Sequence, residues 1–317
     1  MLTQHSISPP KHLIVIVGPT AVGKTGLSIQ LAQHLQTEII SADSRQFYYD
    51  MGIGTAQPTK EEMQGIPHHF LAFLPIQEPY TAGRFEKEAL QKLTDLFKHH
   101  HTIILIGGSG LYIKALCEGL ADLPPVAPSI RTRLNLTLRE KGLPYLTAML
   151  AEKDPTYYNI VDLKNPKRVI RTLEICLGTG VPYSTLRKQL SNAERTFNII
   201  KIGITQEKHA LHKKIDFRVD AMMQQGLLQE VKKLYPYKTL NSLQTLGYKE
   251  LFHYIDGGYS LEEAISQIKI NTRKYAKKQM TWFQKDKNIV WFAPDNYPKI
   301  RAYIESIIKL AQCPNDN

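Results

Sequence analysis

One stretch restricts what this chain can fold into more than any other. Residues 18 to 25, Gly18-Pro19-Thr20-Ala21-Val22-Gly23-Lys24-Thr25, fit the phosphate-loop pattern G-x-x-x-x-G-K-[ST]. An apolar run, Leu13-Ile14-Val15-Ile16-Val17, precedes them. Leu27, Leu31 and Leu35 follow on one face of an expected helix. Strand, loop and helix in that order is the setting in which the loop works. Its glycines let backbone N–H groups turn onto phosphate oxygens, and Lys24 brings a point charge to the terminal phosphate. The Thr25 hydroxyl is placed to hold Mg²⁺. Alone, the loop suggests a bound nucleotide such as ATP. It leaves open which phosphate ester is held and whether phosphate is the group transferred.

The following segments extend this start into an α/β fold, a P-loop NTPase-like core with a parallel sheet flanked by helices. Glu38-Ile39-Ile40-Ser41-Ala42-Asp43 reads as a short buried strand ending in an acid. Ligands of such sheets lie beyond the carboxyl ends of the strands, which sets Asp43 beside the phosphate loop; a capping or turn aspartate is the plainer reading. Ser44-Arg45-Gln46, Tyr48-Tyr49 and Met51-Gly52-Ile53-Gly54-Thr55-Ala56 form a polar, glycine-bearing stretch suited to gripping a substrate. Residues 57 to 84 are loop-rich, and His68-His69 within them have no companion cluster, so a structural use is expected. Phe85 to Lys98 reads as a helix with the run His99-His100-His101 as its solvated end. Thr102-Ile103-Ile104-Leu105-Ile106 is a second buried strand, ending in Gly107-Gly108-Ser109-Gly110-Leu111-Tyr112. A nucleotide-hydrolysing engine places an aspartate at such an edge. Here a glycine pair lets a substrate approach the backbone, and Ser109 offers a hydroxyl.

Texture and charge both change after residue 120. Residues 121 to 198 read as an all-helical insertion between strands of a first core part, 1 to 120, and the remainder of the core, 199 to 317. The insertion carries Arg131 and Arg133 on one expected helix, and Lys167, Arg168 and Arg171 within a turn of each other on another. The later part contains the strand Ile199 to Ile204, helical basic residues including Lys213, Lys214 and Arg218, and a long basic helix from Glu262 to Phe283. A last strand, Ile289 to Phe292, and a helix from Tyr297 close it. The net charge is +11, yet residues 1 to 120 hold 9 Lys and Arg against 10 Asp and Glu. The other residues hold 31 against 19. A basic excess confined to the later part points to a polyanionic partner, most simply nucleic acid. No run of about 18 apolar residues and no signal-like N-terminus is present, so a cytoplasmic chain with no membrane span is expected. Cys117, Cys176 and Cys313 are far apart and read as reduced thiols.

In order along the chain, these stretches resemble the tRNA dimethylallyltransferases, also called tRNA isopentenyltransferases or the IPP transferase family. The resemblance rests on residues 18 to 25, 41 to 46, 51 to 56, 107 to 112, and Asn165-Pro166-Lys167-Arg168-Val169-Ile170-Arg171. It continues through Leu246-Gly247-Tyr248-Lys249 and the run from Thr272 to Trp282, so that it covers nearly the full length. It implies transfer of a dimethylallyl group from dimethylallyl diphosphate to the exocyclic N6 amine of the adenosine 3′-adjacent to the anticodon, in tRNAs reading codons that begin with U. It implies Asp43 as general base and Ser109 as a contact to that amine. The phosphate loop and Arg218 would hold the diphosphate, with Mg²⁺ on Thr25. Contacts to the anticodon stem-loop are implied for Asp43, Ser44, Arg45, Gln46, Ser109 and Arg131. They are implied also for Lys167, Arg168, Val169, Ile170 and Arg171, and for Gln244, Thr245, Leu246, Gly247, Tyr248 and Lys249. Ser109 stands where the family usually has Thr, and Lys167 where it often has Gln. A monomer is expected, because embracing a tRNA needs no second copy.

The chemistry implied is coherent in physical terms. An adenine amine is a weak nucleophile, and a carboxylate taking its proton as the bond forms is worth roughly 10²–10⁴-fold. Cleavage of the allylic C–O bond puts charge on the departing diphosphate, where Lys24, Arg218 and loop amides can meet it. The base must leave its stack to reach the site. The alternative is a P-loop kinase of a small metabolite, which would use the same loop and acid but leaves the basic helical part without a task.

Overall fold

The computed structural model describes residues 9–120, 123–189 and 194–312; Cys313 lies outside them. Strand β1, His12–Val17, is buried along its length and runs into the phosphate loop. Helix α1, Lys24–Leu35, buries Leu27 and Leu31 on the face expected from their spacing. Then come β2, Ile39–Ser41, a one-turn helix α2, Lys60–Met63, and β3, His68–His69. Thr59 starts α2 with a reciprocal cap: its hydroxyl accepts the Glu62 N–H, and the Glu62 carboxylate accepts the Thr59 N–H. Helix α3, Ala82–Leu96, begins three residues before Phe85 because the Thr81 hydroxyl caps the Arg84 N–H. Strand β4, Thr102–Ile106, is buried throughout and leads to α4, Gly110–Glu118.

Two compact units are present, one made of the described residues before Glu118 and after Glu194, the other spanning Glu118–Glu194. Every regular element in the described part of the second unit is a helix: α5, Pro128–Lys153; α6, Pro155–Tyr158; α7, Pro166–Thr179; α8, Tyr183–Gln189. Asn165 caps α7 by accepting the Arg168 N–H, with Pro166 at the first helical position. The unit has its own apolar core, with Leu134, Leu146 and Leu150 of α5 meeting Val169, Ile170 and Leu173 of α7.

The first unit resumes with β5, Asn198–Ile204, then α9, Lys208–Gln224, α10, Leu227–Leu234, and α11, Tyr248–Ile255. Helix α12, Leu261–Phe283, opens on a Ser260/Glu263 capping box; β6, Val290–Phe292, and α13, Tyr297–Gln312, follow. The six strands form one sheet in the order β3-β2-β4-β1-β5-β6, with every pair parallel. Helices cover both faces, as an all-parallel sheet requires, and separate apolar cores fill the two sides. The edge strand β3 was not among the expected strands. His68-His69 pair with Ile39-Ile40 of β2, so this pair is backbone of the sheet as well as polar side chain. The expected solvated histidine run also has a bonded member: His100 Nε2 and His69 Nε2 both reach the Glu38 carboxylate, at 3.3 and 2.6 Å. No helix among the described residues is long and apolar enough to cross a membrane.

Candidate active site

The strand order puts the carboxyl ends of β1, β4 and β2 side by side, with the phosphate loop, the glycine pair and Asp43 following them in that order. Gly18 can only be glycine: its φ is +150° and a Cβ there would lie 2.4 Å from the Ile204 carbonyl oxygen of β5. Beyond these ends a cleft of about 830 Å³ is lined by Thr20, Lys24, Thr25, Asp43, Gln46, Arg218, Tyr275 and Gln279, among others. The loop, Asp43 and Arg218, far apart in sequence, thus share one cavity.

The charges in the cleft are tightly coupled. Lys24 Nζ donates to the carbonyls of Gly18 and Pro19, at 3.1 and 2.8 Å. Burial pushes its pKa down to about 8; the Asp43 carboxylate pulls it up, and the Arg218 guanidinium adds to the depression. Arg218, on α9, donates to the Thr20 hydroxyl at 3.3 Å and the Thr55 carbonyl at 3.5 Å. Burial lowers its pKa too, against the pull of Asp43 and Glu62. Lys24 and Arg218 thus share the cleft with the carboxylates of Asp43 and Glu62, and both cations are poorly solvated there, which suits an anionic ligand. Thr25 is exposed at the cleft.

Asp43 Oδ1 accepts the Arg45 N–H at 3.1 Å, which leaves Oδ2 for a substrate. Ser109 is bonded to the neighbouring residue: its Oγ accepts the Ser44 N–H and donates to Ser44 Oγ, both at 3.0 Å. The hydroxyl therefore adjoins the acid through Ser44. Arg45 donates from Nη1 to the carbonyls of Asn241 and Ser242 at 2.8 and 2.9 Å, tying the 43–46 segment to the turn before Gln244. Gln46 donates from Nε2 to the carbonyls of Thr55 and Ala56.

Three residues expected to touch RNA have buried side chains instead. Val169 and Ile170 are in the core of the helical unit, while Lys167, Arg168 and Arg171 occupy the exposed side of the same helix. Tyr248 is fully buried and donates to Glu230 Oε1 at 2.6 Å. Glu230 also accepts the N–H groups of Ile53 and Gly54, so Tyr248 braces the cleft wall. Around it, Gln244 and Lys249 are exposed, Thr245 and Leu246 half-buried, and Gly247 buried.

The glycine pair lines the cleft, and it also makes room for protein. A Cβ on Gly107 would meet the Ala42 carbonyl at 2.5 Å, and one on Gly108 would meet Gln279 Nε2 at 2.3 Å. The space a Cβ would take there is filled by protein, while both glycines still line the cleft. Gln279 itself was missed in the sequence. From α12 it accepts the Thr20 N–H at 2.9 Å and donates to the Gly108 carbonyl at 3.0 Å, bridging phosphate loop and β4 end. A second missed residue, Glu174, accepts from both Arg131 and Arg171 in the helical unit.

The comparisons with known proteins agree with one another. A family model described as IPP transferase matches residues 46–286. A tRNA dimethylallyltransferase 1 of Phocaeicola vulgatus is 50% identical over 298 residues, covering 94% of this chain and 99% of the relative. A tRNA dimethylallyltransferase of Christiangramia forsetii is 51% identical over 298 residues, covering 94% and 98%. Among solved structures, the full-length tRNA isopentenylpyrophosphate transferase of Bacillus halodurans aligns with a TM-score of 0.71 and 36% identity, covering 95% of this chain and 98% of its own. A eukaryotic dimethylallyltransferase described as acting on tRNA aligns with a TM-score of 0.77 and 28% identity, covering 97% and 81%.

Proposed function

The chain belongs to the IPP transferase family, and from that premise we infer what its cleft does. It transfers the dimethylallyl group of dimethylallyl diphosphate to tRNA, at the N6 amine of the adenosine 3′-adjacent to the anticodon, in tRNAs reading codons that begin with U. The observation that carries the reading is the convergence of Lys24, Arg218 and Asp43 on one cleft. The kinase alternative is dropped, because relatives matching almost the whole chain are tRNA dimethylallyltransferases.

In the reaction the N6–C1 bond forms as the C1–O bond to the diphosphate breaks, and the amine proton passes to Asp43. Oδ1 of Asp43 is steadied by the Arg45 N–H, so Oδ2 is the accepting atom. The Ser109–Ser44 hydroxyl pair lies next in the chain of contacts and can orient the amine. Lys24, Arg218 and the loop N–H groups meet the charge released on the leaving group. Of those amides, the Thr20 N–H is already committed to Gln279. Mg²⁺ suits the exposed Thr25 hydroxyl that lines the cleft. Among the described residues no cluster of three His, Cys, Asp or Glu forms a complete cage. An ion here would be held by the Thr25 hydroxyl and the substrate phosphates. When bound it would neutralise diphosphate charge. The loop would also accept the end of ATP, but as a competitor of the allyl donor. A cytoplasmic monomer is the state that this reading proposes.

The decisive experiment supplies unmodified tRNA, Mg²⁺ and either labelled dimethylallyl diphosphate or γ-labelled ATP. Label from the allyl donor in the RNA supports the proposal. Label from ATP in a small molecule, with none from the allyl donor in RNA, would overturn it.

A further inference from the structure

In the helical unit, two arginines from different helices converge on a single carboxylate. Arg131, on α5, donates from Nε and Nη2 to Glu174 Oε2 at 3.1 and 2.7 Å. Arg171, one turn before Glu174 on α7, donates from Nη1 to the same oxygen at 3.1 Å. The carboxylate is sheltered, with its side chain 7% exposed, while the two guanidinium side chains are 53% and 44% exposed. A guanidinium carries five N–H donors in a rigid fork. After the bonds to Glu174, Arg131 and Arg171 still hold several donors in fixed planes at the surface.

We propose that Glu174 is a positioning residue: it locks Arg131 and Arg171 side by side as a clamp for an RNA backbone phosphate. The proposal rests on the tRNA-modifying reading above. Its physical content is that orientation outweighs charge here. An arginine side chain loses rotamer freedom when it is fixed, and that loss is borne in folding rather than at RNA binding. Two forks held at one spacing favour bidentate contact with phosphate oxygens, which lysines cannot reproduce. Lys167 and Arg168, exposed at the start of the same helix, add unspecific attraction.

The proposal makes a prediction opposite in sign to bare electrostatics. Replacing Glu174 with Gln removes a negative charge from a basic surface, so attraction alone would tighten RNA binding. Loss of the clamp would loosen it. The test measures tRNA affinity and steady-state transfer for the full chain, as wild type, Glu174→Gln and the double variant Arg131→Lys/Arg171→Lys, across a salt series. For Glu174→Gln the expected result is a KM for tRNA raised about tenfold, with kcat and the KM for the allyl donor little changed. The lysine variant keeps both charges and the buried carboxylate but loses the forks. It should weaken binding by about the same factor, with an unchanged salt slope. If Glu174→Gln fails to fold, as a lost melting transition would reveal, the lysine variant alone decides. Affinity equal to or tighter than wild type in a folded variant overturns the clamp. A wild-type chain that binds no tRNA would overturn the enzymatic reading, and the clamp with it.

Discussion

The cleft makes a quantitative prediction through Lys24. With a pKa of about 8, set first by burial, this residue is charged at neutral pH but close to losing its proton. A diphosphate placed beside it raises that pKa, so binding is accompanied by proton uptake. The sign follows: affinity for the allyl diphosphate is at its full value below about pH 8 and falls as pH rises beyond it. Only about one molecule in thirty keeps the charge at about pH 9.5, so affinity should drop about 30-fold between there and neutrality. Phosphate esters finish ionising near pH 6, so the ligand's own titration does not intrude. Calorimetry with an unreactive dimethylallyl diphosphate analogue, in buffers of different ionisation heat, reads both affinity and the proton count. Lys24→Arg supplies the control, because a guanidinium keeps its charge across this range and its profile should be flat. Wild-type affinity that stays level to about pH 9.5, or an equal fall in Lys24→Arg, would refute the assignment.

Asp43→Asn should cut turnover by roughly 10²–10⁴-fold with tRNA affinity nearly intact, as single-turnover assays and filter binding would measure. Because Asp43 holds the Lys24 pKa up, the same variant should also move the fall in diphosphate affinity to lower pH. Gln279→Ala leaves the Thr20 N–H and Gly108 carbonyl without their bridge. It should raise the KM for the allyl donor more than that for tRNA, and equal KM values in mutant and wild type would refute the bridge. Tyr248→Phe removes the phenol from Glu230 in a buried setting, at a cost of about 1–3 kcal/mol, which thermal unfolding would register as a lower Tm.

Parts of this molecule were legible because they repeat. The runs in β1 and β4 are continuous apolar stretches of the kind a doubly covered parallel sheet needs, β5 is apolar from Ile199 on but for Lys201, and the loop after β1 has a fixed pattern. Strand β3 was not legible, since two residues cannot display a period. Gln279 was hidden for another reason: its partners Thr20 and Gly108 lie 259 and 171 positions away, and no local pattern encodes such pairings. Val169, Ile170 and Tyr248 sit inside motifs that only the family resemblance ties to RNA, and a motif marks a segment rather than a face. In the 167–171 run a helical projection separates them: Val169, Ile170 and Leu173 take the inner side, opposite Lys167, Arg168 and Arg171.

The end of β4 is where the chemistry is decided. A nucleotide-hydrolysing engine built on this loop places an acid there to order the metal and the attacking water. This chain has Gly107 and Gly108, and the space is taken by the Ala42 carbonyl and the Gln279 amide. Gln279 has no charge to activate water; it fastens the phosphate loop to β4. An acid stands instead at the next strand end: Asp43, its Oδ1 held by the Arg45 N–H and its field acting on Lys24 and Arg218. Arg45 in turn reaches the carbonyls before Gln244, so the segment carrying Asp43 is anchored to a turn with an exposed residue, Asn241. A base tied in this way suits a nucleophile delivered by a bulky partner rather than one drawn from solvent. On the proposed reading, a loop of the kind that commonly holds a triphosphate serves here as the seat of a leaving group.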